Sequence, residues 1–227
     1  MSEIFLKNVT KNYGNVQGVS DITITLKPGI TGILGPNGAG KSTTMKLILG
    51  LSRPSIGYVD VNGSDPFVDW KLRKDIGFVP EYDCFYEHMT GMEYVSYFLR
   101  MHDVDGEEAD EKAKKALIEL GLEKSLNRKI RTYSRGMRQK TKVARATVFD
   151  PKILVLDEPF AALDAFTREE LWCVLRDLWI DHKFTTLLVT HDLREAAFLA
   201  DKIFVMSARP GKITNVHNVN FKHKRDY

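Results

Sequence analysis

Residues 35–42 read GPNGAGKS, and they constrain this chain more than any other stretch. The run fits G-x-x-x-x-G-K-[ST] without a mismatch. Before it lies a short apolar run, ITGIL, and after it an apolar-periodic stretch through Met45, Leu47 and Leu49 that Gly50 stops. A strand, a glycine loop and a helix in that order predict an α/β core with a buried parallel sheet. Glycines let a backbone wrap a phosphate, with successive N–H groups turned inward as an anion nest. The positive end of the helix starting near Lys41 points at the same charge. The pattern assigns Gly35, Pro36, Asn37, Gly38, Ala39, Gly40, Lys41, Ser42 and Thr43 to nucleotide binding. Within it, Lys41 is expected to bridge the β- and γ-phosphates, and Ser42 to put its hydroxyl on Mg2+. Lys41 is expected to face solvent when no nucleotide is bound.

A chain of 227 residues can support such a core plus a lobe. Strand-like alternation marks residues 4–9 and 22–26, and Tyr58 begins a strand that ends at the turn signal Asn62-Gly63. IGFVP closes another strand near residue 80. The middle is helical: Thr90 and Glu93 form a capping box before EYVSYFLRM, and EEADEKAKKALIEL is an amphipathic helix ended by Gly121. Strands return in KILVLDEP and TTLLVTH around the helix TREELWCVLRDLW, and KIFVMSARPGKITNV reads as two strands about an Arg-Pro-Gly turn. The expected domain is therefore single, with residues 1–83 and 149–227 as core and 84–148 as a helical insert. Its fold class is α/β, a phosphate-loop NTPase core with a mainly parallel sheet, an antiparallel β subdomain and the inserted helical subdomain.

The two cysteines, Cys84 and Cys173, stand in no metal spacing and suit a reducing compartment. Apolar runs are too short to span a bilayer, and the start lacks the long apolar stretch of a signal peptide. These features predict a soluble cytoplasmic chain. A net charge of +3 is too small to imply a nucleic-acid partner.

ILVLDEP carries Asp157 and Glu158 to the end of a buried strand, where open α/β sheets bind ligands. Beside a phosphate loop, one carboxylate can hold Mg2+ and the next can polarise an attacking water. Asp157 is assigned to the metal and Glu158 to the general base. Taken alone, the same pair reads equally well as a solvated acidic turn.

Phosphate loop, helical insert, the polar knot Ser134-Arg135-Gly136, LVLDEP, LD and TH, in this order, resemble an ATP-binding-cassette (ABC) ATPase over essentially the whole chain. That family's signature is usually Leu-Ser-Gly-Gly-Gln; Tyr133, Ser134, Arg135, Gly136 and Met137 stand in its place. The resemblance implies that Ser134 and Gly136, at the start of a helix, contact the γ-phosphate held by a second ATPase subunit. It also implies an adenine platform at Tyr13, for which an exposed strand-end tyrosine is the plainer reading. By the same resemblance Asp164 lies in a loop crossing the dimer interface, and His191 is a switch histidine reaching the γ-phosphate. Where the family commonly has Gln, this chain has Glu81, which is kept as a metal or water ligand and as a link to the helical lobe. Tyr82 to Tyr86 are expected to dock a transmembrane permease subunit.

The resemblance implies ATP and Mg2+ as cofactors, ATP hydrolysis by a head-to-tail dimer, and a peripheral place on the cytoplasmic face of the membrane. The first part looks like exporter ATPases, and the part after ILVLDEP looks like nitrate, sulfonate and taurine importer ATPases. This mixture is expected of a chimera joined near that segment, or of natural divergence. A chimeric or orphan cassette that binds ATP without energising transport is the alternative function.

Overall fold

A computed structural model describes residues 2–220, and their contacts separate two units. The first comprises residues 2–78, 152–158 and 183–220; the second comprises 79–151 and 159–182. The basic end KHKRDY lies outside the described residues.

In chain order the first unit begins with β1 (Ile4–Tyr13), β2 (Val16–Leu26), β3 (Ile30–Leu34), α1 (Lys41–Ile48), β4 (Ile56–Val61) and most of β5 (Ile76–Val79). The second unit supplies α2 (Gly91–Arg100), α3 (Gly106–Glu119) and α4 (Arg135–Thr147). After β6 (Ile153–Asp157) in the first unit comes α5 (Ala165–His182) in the second. The first unit then closes with β7 (Thr185–Thr190), α6 (Leu193–Leu199), β8 (Lys202–Met206) and β9 (Ile213–Asn218).

The first unit holds two sheets. One is antiparallel, in the order β2-β1-β4, with β1 and β2 paired from Ile4↔Leu26 to Tyr13↔Val16. Both strands run further than their apolar alternation predicts. Their distal ends, KNY and VQG, carry no alternating pattern, and the turn at Gly14 (φ 56°) closes them as a hairpin. At Asn62-Gly63 the turn forms (φ 53° and 85°), but the chain pairs back only through Val61↔Ser64.

The second sheet has the order β5-β6-β7-β3-β8-β9, with β6–β7, β7–β3 and β3–β8 parallel and β8–β9 antiparallel. Every residue of β6 and β7 is buried, which is why both read as unbroken apolar runs. Ile33, Val155, Leu187, Val189 and Phe204 share a core with Met45, Leu47 and Ile48 of α1. Each such side chain contributes about 1.5–3 kcal/mol on burial. Parallel register sets Asp157 opposite Val189 and Leu34 opposite Thr190, so the ends of β3, β6 and β7 lie side by side.

In the second unit the expected capping box is present: Thr90 Oγ1 accepts from Glu93 N–H at 3.0 Å, and Glu93 accepts from Thr90 N–H at 2.7 Å. Helix α3 buries Ala109, Ala113, Ala116 and Leu117 on one face and ends at Gly121 (φ 71°). Phe160 packs edge-on against Trp172 of α5 at 6.2 Å.

Candidate nucleotide-binding site

Residues 35–40 form a tight loop between β3 and α1, inside the first unit. Gly38 and Gly40 take φ values of 80° and 86°, where a side chain is strained. Gly40 is the residue before α1 and offers no side-chain cap, so the first-turn N–H groups of this helix are left to a ligand or water. Ser42 is exposed on that turn, Thr43 half-buried, and Thr44 buried with its hydroxyl on Gly40 O at 3.1 Å. The loop thus has the form its sequence predicts.

Lys41 corrects one expectation. It does not face solvent: its side chain is 6% exposed. Its ammonium donates to Gly35 O at 2.8 Å and Pro36 O at 3.3 Å, and pairs with Glu158 Oε1 at 3.2 Å.

Glu158 is the junction of the site. It is 11% exposed, and its second oxygen, Oε2, lies 2.6 Å from His191 Nδ1. Its backbone sits at φ 46°, a left-handed conformation that costs about 1–3 kcal/mol in a residue with a side chain. Its N–H donates to Val189 O at 2.9 Å, which anchors the turn leaving β6 to the neighbouring strand β7. His191 follows β7 directly. A residue not foreseen from the sequence shapes its turn: Glu195 of α6, 3% exposed, accepts from the Thr190 hydroxyl, which in turn accepts from Asp192 N–H at 3.0 Å. A THDxxE spacing is the only sequence trace of it.

Asp157 ends β6 with a buried side chain. With the exposed Ser42 hydroxyl it offers oxygen donors only, a set that suits a hard cation such as Mg2+. Among the described residues no cluster of three or more His, Cys, Asp or Glu side chains forms a metal site. Tyr13 ends β1, with 47% of its surface exposed. Its ring lies against Gly18, where a Cβ would meet Tyr13 Cε2 at 3.2 Å and Thr43 Oγ1 at 3.4 Å. The ring and the first turn of α1 therefore meet over this bare stretch of β2. Lys11 Nζ stands 5.2 Å from the ring centroid and donates to Arg53 O at 2.7 Å.

The remaining predicted residues belong to the second unit. Ser134 is the cap of α4, accepting from Met137 N–H at 3.2 Å. A Cβ on Gly136 would lie 2.6 Å from Thr167 Cγ2, so this glycine lets α4 and α5 approach. Arg135, one of the departures from the common signature, donates to Ala162 O at 3.3 Å. Asp164 caps the start of α5: Oδ1 accepts from Thr167 N–H at 3.0 Å and Oδ2 from its hydroxyl at 2.7 Å. These bonds hold the Asp164 carboxyl below its usual range, the Thr167 N–H first. Glu81 is exposed, and its carbonyl accepts from Lys142 Nζ at 3.2 Å. Lys142, 4% exposed, also donates to Pro80 O at 3.1 Å and pairs with Asp83 Oδ1 at 3.1 Å. Arg138, one turn earlier on α4, forks onto Glu87 at 2.6 and 2.8 Å, which raises its own pKa and lowers that of Glu87. The Glu81 loop is thus stapled along one face of α4.

A family model described as ABC transporter matches residues 19–161, which include the phosphate loop, the Ser134 cap and the Asp157-Glu158 pair. The chain belongs to the ABC transporter family. Among its relatives is a sulfate/thiosulfate import ATP-binding protein of Nocardia farcinica, 39% identical over 94% of this chain and 64% of that protein. A second, from Thermosynechococcus vestitus, is 37% identical over 90% of this chain and 61% of its own length. The chain therefore spans just under two thirds of the curated relatives it matches. Among solved structures it resembles a dimeric ATP-binding cassette in a post-hydrolysis state bound to ADP and Pi, with a TM-score of 0.83 and 29% identity. That match covers 96% of this chain and 100% of the other.

One sulfate-importer relative aligns with 94% of this ABC chain, through ILVLDEP and on both sides of it. The division into an exporter-like and an importer-like part, and the chimera inferred from it, find no support in these relatives. A long shared phrase on each side of a family motif is what one diverged lineage also produces.

Proposed function

We propose that this chain binds and hydrolyses ATP as the nucleotide-binding subunit of an ABC importer, working as a head-to-tail dimer within a single ABC ATPase domain. The observation that carries this reading is the Lys41–Glu158–His191 constellation at the ends of adjacent strands, beside an uncapped helix N-terminus.

The loop amides and Lys41 bind the phosphates, and Tyr13 takes the adenine ring. Mg2+, when bound, supplies positive charge to the phosphate oxygens; Ser42 and Asp157 are the residues that would hold it. Once Lys41 turns from Glu158 to phosphate, one carboxylate oxygen is released to take the proton of the attacking water. His191, on the other oxygen, orients that carboxylate and can follow the γ-phosphate. Ser134 and Gly136 of a second copy close the site from the opposite side, with the α4 N-terminus adding its dipole. Asp164 sets the start of α5 at the same dimer interface. Glu81 and the exposed Tyr82 are the surface offered to a transmembrane permease subunit on the cytoplasmic side. The sulfate/thiosulfate import ATP-binding proteins among its relatives favour import over export. No helix among the described residues is long and apolar enough to cross a membrane.

ATPase rate per chain, measured against protein concentration with and without candidate membrane subunits, tests this reading. The expected rate per chain rises with concentration, because each site needs two chains. A rate per chain that stays constant on dilution rules out the shared site. Absence of hydrolysis in the presence of Mg2+ and every candidate subunit rules out the ATPase.

A further inference from the structure

The phosphate loop rests on two backbone segments remote from it in sequence. One is Gly18-Val19 of β2; the other is the turn, residues 207–212, that joins β8 to β9. A Cβ added to Gly211 would lie 1.9 Å from the carbonyl oxygen of Ala39 and 2.9 Å from its carbon. Gly211 is buried; its N–H donates to Gly18 O at 3.1 Å, and its carbonyl accepts from Ser20 N–H at 2.9 Å. A Cβ on Gly40 would in turn meet Val19 Cγ1 at 2.5 Å and Gly18 O at 2.8 Å. The backbones of β2, the loop and the 207–212 turn thus approach closely at Gly18, Gly40 and Gly211, with Val19 Cγ1 and Met206 Cε packed against them. Gly211 is not among the glycines with positive φ, so a left-handed backbone is not what calls for glycine there. The approach of the Ala39 carbonyl demands glycine there; Met206 Cε, at 3.0 Å from the same Cβ position, is the movable end of a side chain.

We infer that Gly211 is a positioning residue for nucleotide binding, and that the turn it belongs to is the seat of the phosphate loop. This rests on the phosphate-loop reading of residues 35–43. An anion nest binds tightly only if its N–H groups already converge, since reorganising them is charged against affinity. Any β-carbon at position 211 would force the Ala39 carbonyl, and the peptide entering Gly40, to retreat by about 1 Å or more. Displacements of that size weaken a positioned site by up to about a hundredfold. Glu158 and His191 leave β6 and β7 and are not part of this close approach, so chemistry in a filled site is spared.

Gly211→Ala is therefore expected to raise the Kd of both ADP and ATP by about ten- to a hundredfold, with kcat at saturation within about threefold of wild type. Calorimetric titration of each nucleotide and steady-state kinetics measure the two quantities. Gly63→Ala is the control, because Gly63 also sits in a turn (φ 85°) but a Cβ there has no neighbour within 4 Å. It should lower the melting temperature and leave nucleotide affinity alone. Ser207→Ala is the milder probe: Ser207 Oγ accepts from Lys212 N–H at 3.2 Å and donates to Pro210 O at 3.3 Å, so its loss slackens the turn without a clash. A rise of about three- to fivefold in both Kd values is expected.

A folded Gly211→Ala protein with wild-type Kd values overturns the inference, as does one that loses kcat with Kd unchanged. If Gly211→Ala does not fold, Ser207→Ala decides, and unchanged affinity there overturns it. Lys41→Ala separates the two levels. Loss of binding in Lys41→Ala with full binding in Gly211→Ala defeats the seat alone. Full binding in Lys41→Ala defeats the phosphate-loop reading itself.

Discussion

Replacing Lys41 by methionine removes a buried ammonium and leaves a side chain of similar length. The ammonium serves three acceptors, Gly35 O, Pro36 O and Glu158 Oε1, the last at 3.2 Å. At that distance and an effective dielectric constant of about 20, the Coulomb attraction to Glu158 is about 5 kcal/mol, most of it offset by the desolvation of both charges. What the variant leaves behind decides the outcome. Glu158 keeps His191 as its other partner, but it is 11% exposed and loses its counter-charge. Stranding one member of a buried pair costs about 3–5 kcal/mol, and His191 at 2.6 Å recovers part of that. The expected loss is about 2–3 kcal/mol, or roughly 5–10 °C in melting temperature for a chain of this size. Adding Glu158→Gln removes the stranded carboxylate and should restore about half of the loss. Thermal melts of the wild type, both single variants and the double variant, without nucleotide, close the cycle. A coupling of about 1 kcal/mol or more is expected. A coupling indistinguishable from zero, or Lys41→Met melting with the wild type, would refute the pairing.

Glu158→Gln alone should keep Mg·ATP affinity and slow hydrolysis by about 10²–10⁴-fold, because an amide cannot accept the water's proton; hydrolysis at the wild-type rate in a single-turnover assay removes Glu158 as the base. Gly136→Ala should destabilise the protein by about 1–3 kcal/mol, since its Cβ would lie 2.6 Å from Thr167 Cγ2. Thr167→Ser deletes that methyl, keeps the hydroxyl on Asp164, and should restore the midpoint in urea; no recovery would put the strain elsewhere. Ser134→Ala should cost about 1 kcal/mol through the lost cap and weaken ATP-dependent dimers, read by light scattering. Glu93 is held below its ordinary value of 4.5 by Thr90 N–H first and Lys129 next. Its contribution is therefore present above pH 4.5 and lost as the pH falls through the lower, folded value. The gap in melting temperature between the wild type and Glu93→Gln should be widest near neutrality and shrink in acid, and a gap constant down to about pH 3 would contradict the assignment.

The loop at residues 35–42 was legible because its glycines, lysine and serine work through local backbone geometry, and a motif reports local geometry well. Asp157 and Glu158 were legible for a related reason: β6 is buried on both faces, so its apolar run is unbroken until the carboxylates. The capping box at Thr90 and Glu93 spans a single helical turn and could be read directly. Lys41's burial could not, since it depends on Glu158, which arrives from a distant strand through parallel register. For Asp164 the resemblance implies a place at the dimer interface, but not that its carboxylate oxygens are engaged by Thr167 in its own chain. Thr167 carries no signal that would distinguish a capped turn from an open loop. Helix α5 shows the same limit: it groups with the second unit although it follows β6 in sequence. Contacts, not order along the chain, decide such membership. The polar distal halves of β1 and β2 went unread because a strand paired but half-exposed on its faces has no hydrophobic rhythm.

The seat of the phosphate loop also sets a timetable for synthesis. Glu158, His191 and Gly211 leave the ribosome far behind Lys41. At about 5–20 residues per second, the interval between Lys41 and Gly211 is on the order of ten to thirty seconds. Until Glu158 emerges the loop lacks its buried counter-charge, and until Gly211 emerges it lacks the turn it rests on. A nascent chain should therefore gain nucleotide affinity late and abruptly, when the 207–212 turn emerges, rather than in proportion to its length. ATP would then act on the newborn protein as a ligand of the finished core, not as a template for its early folding.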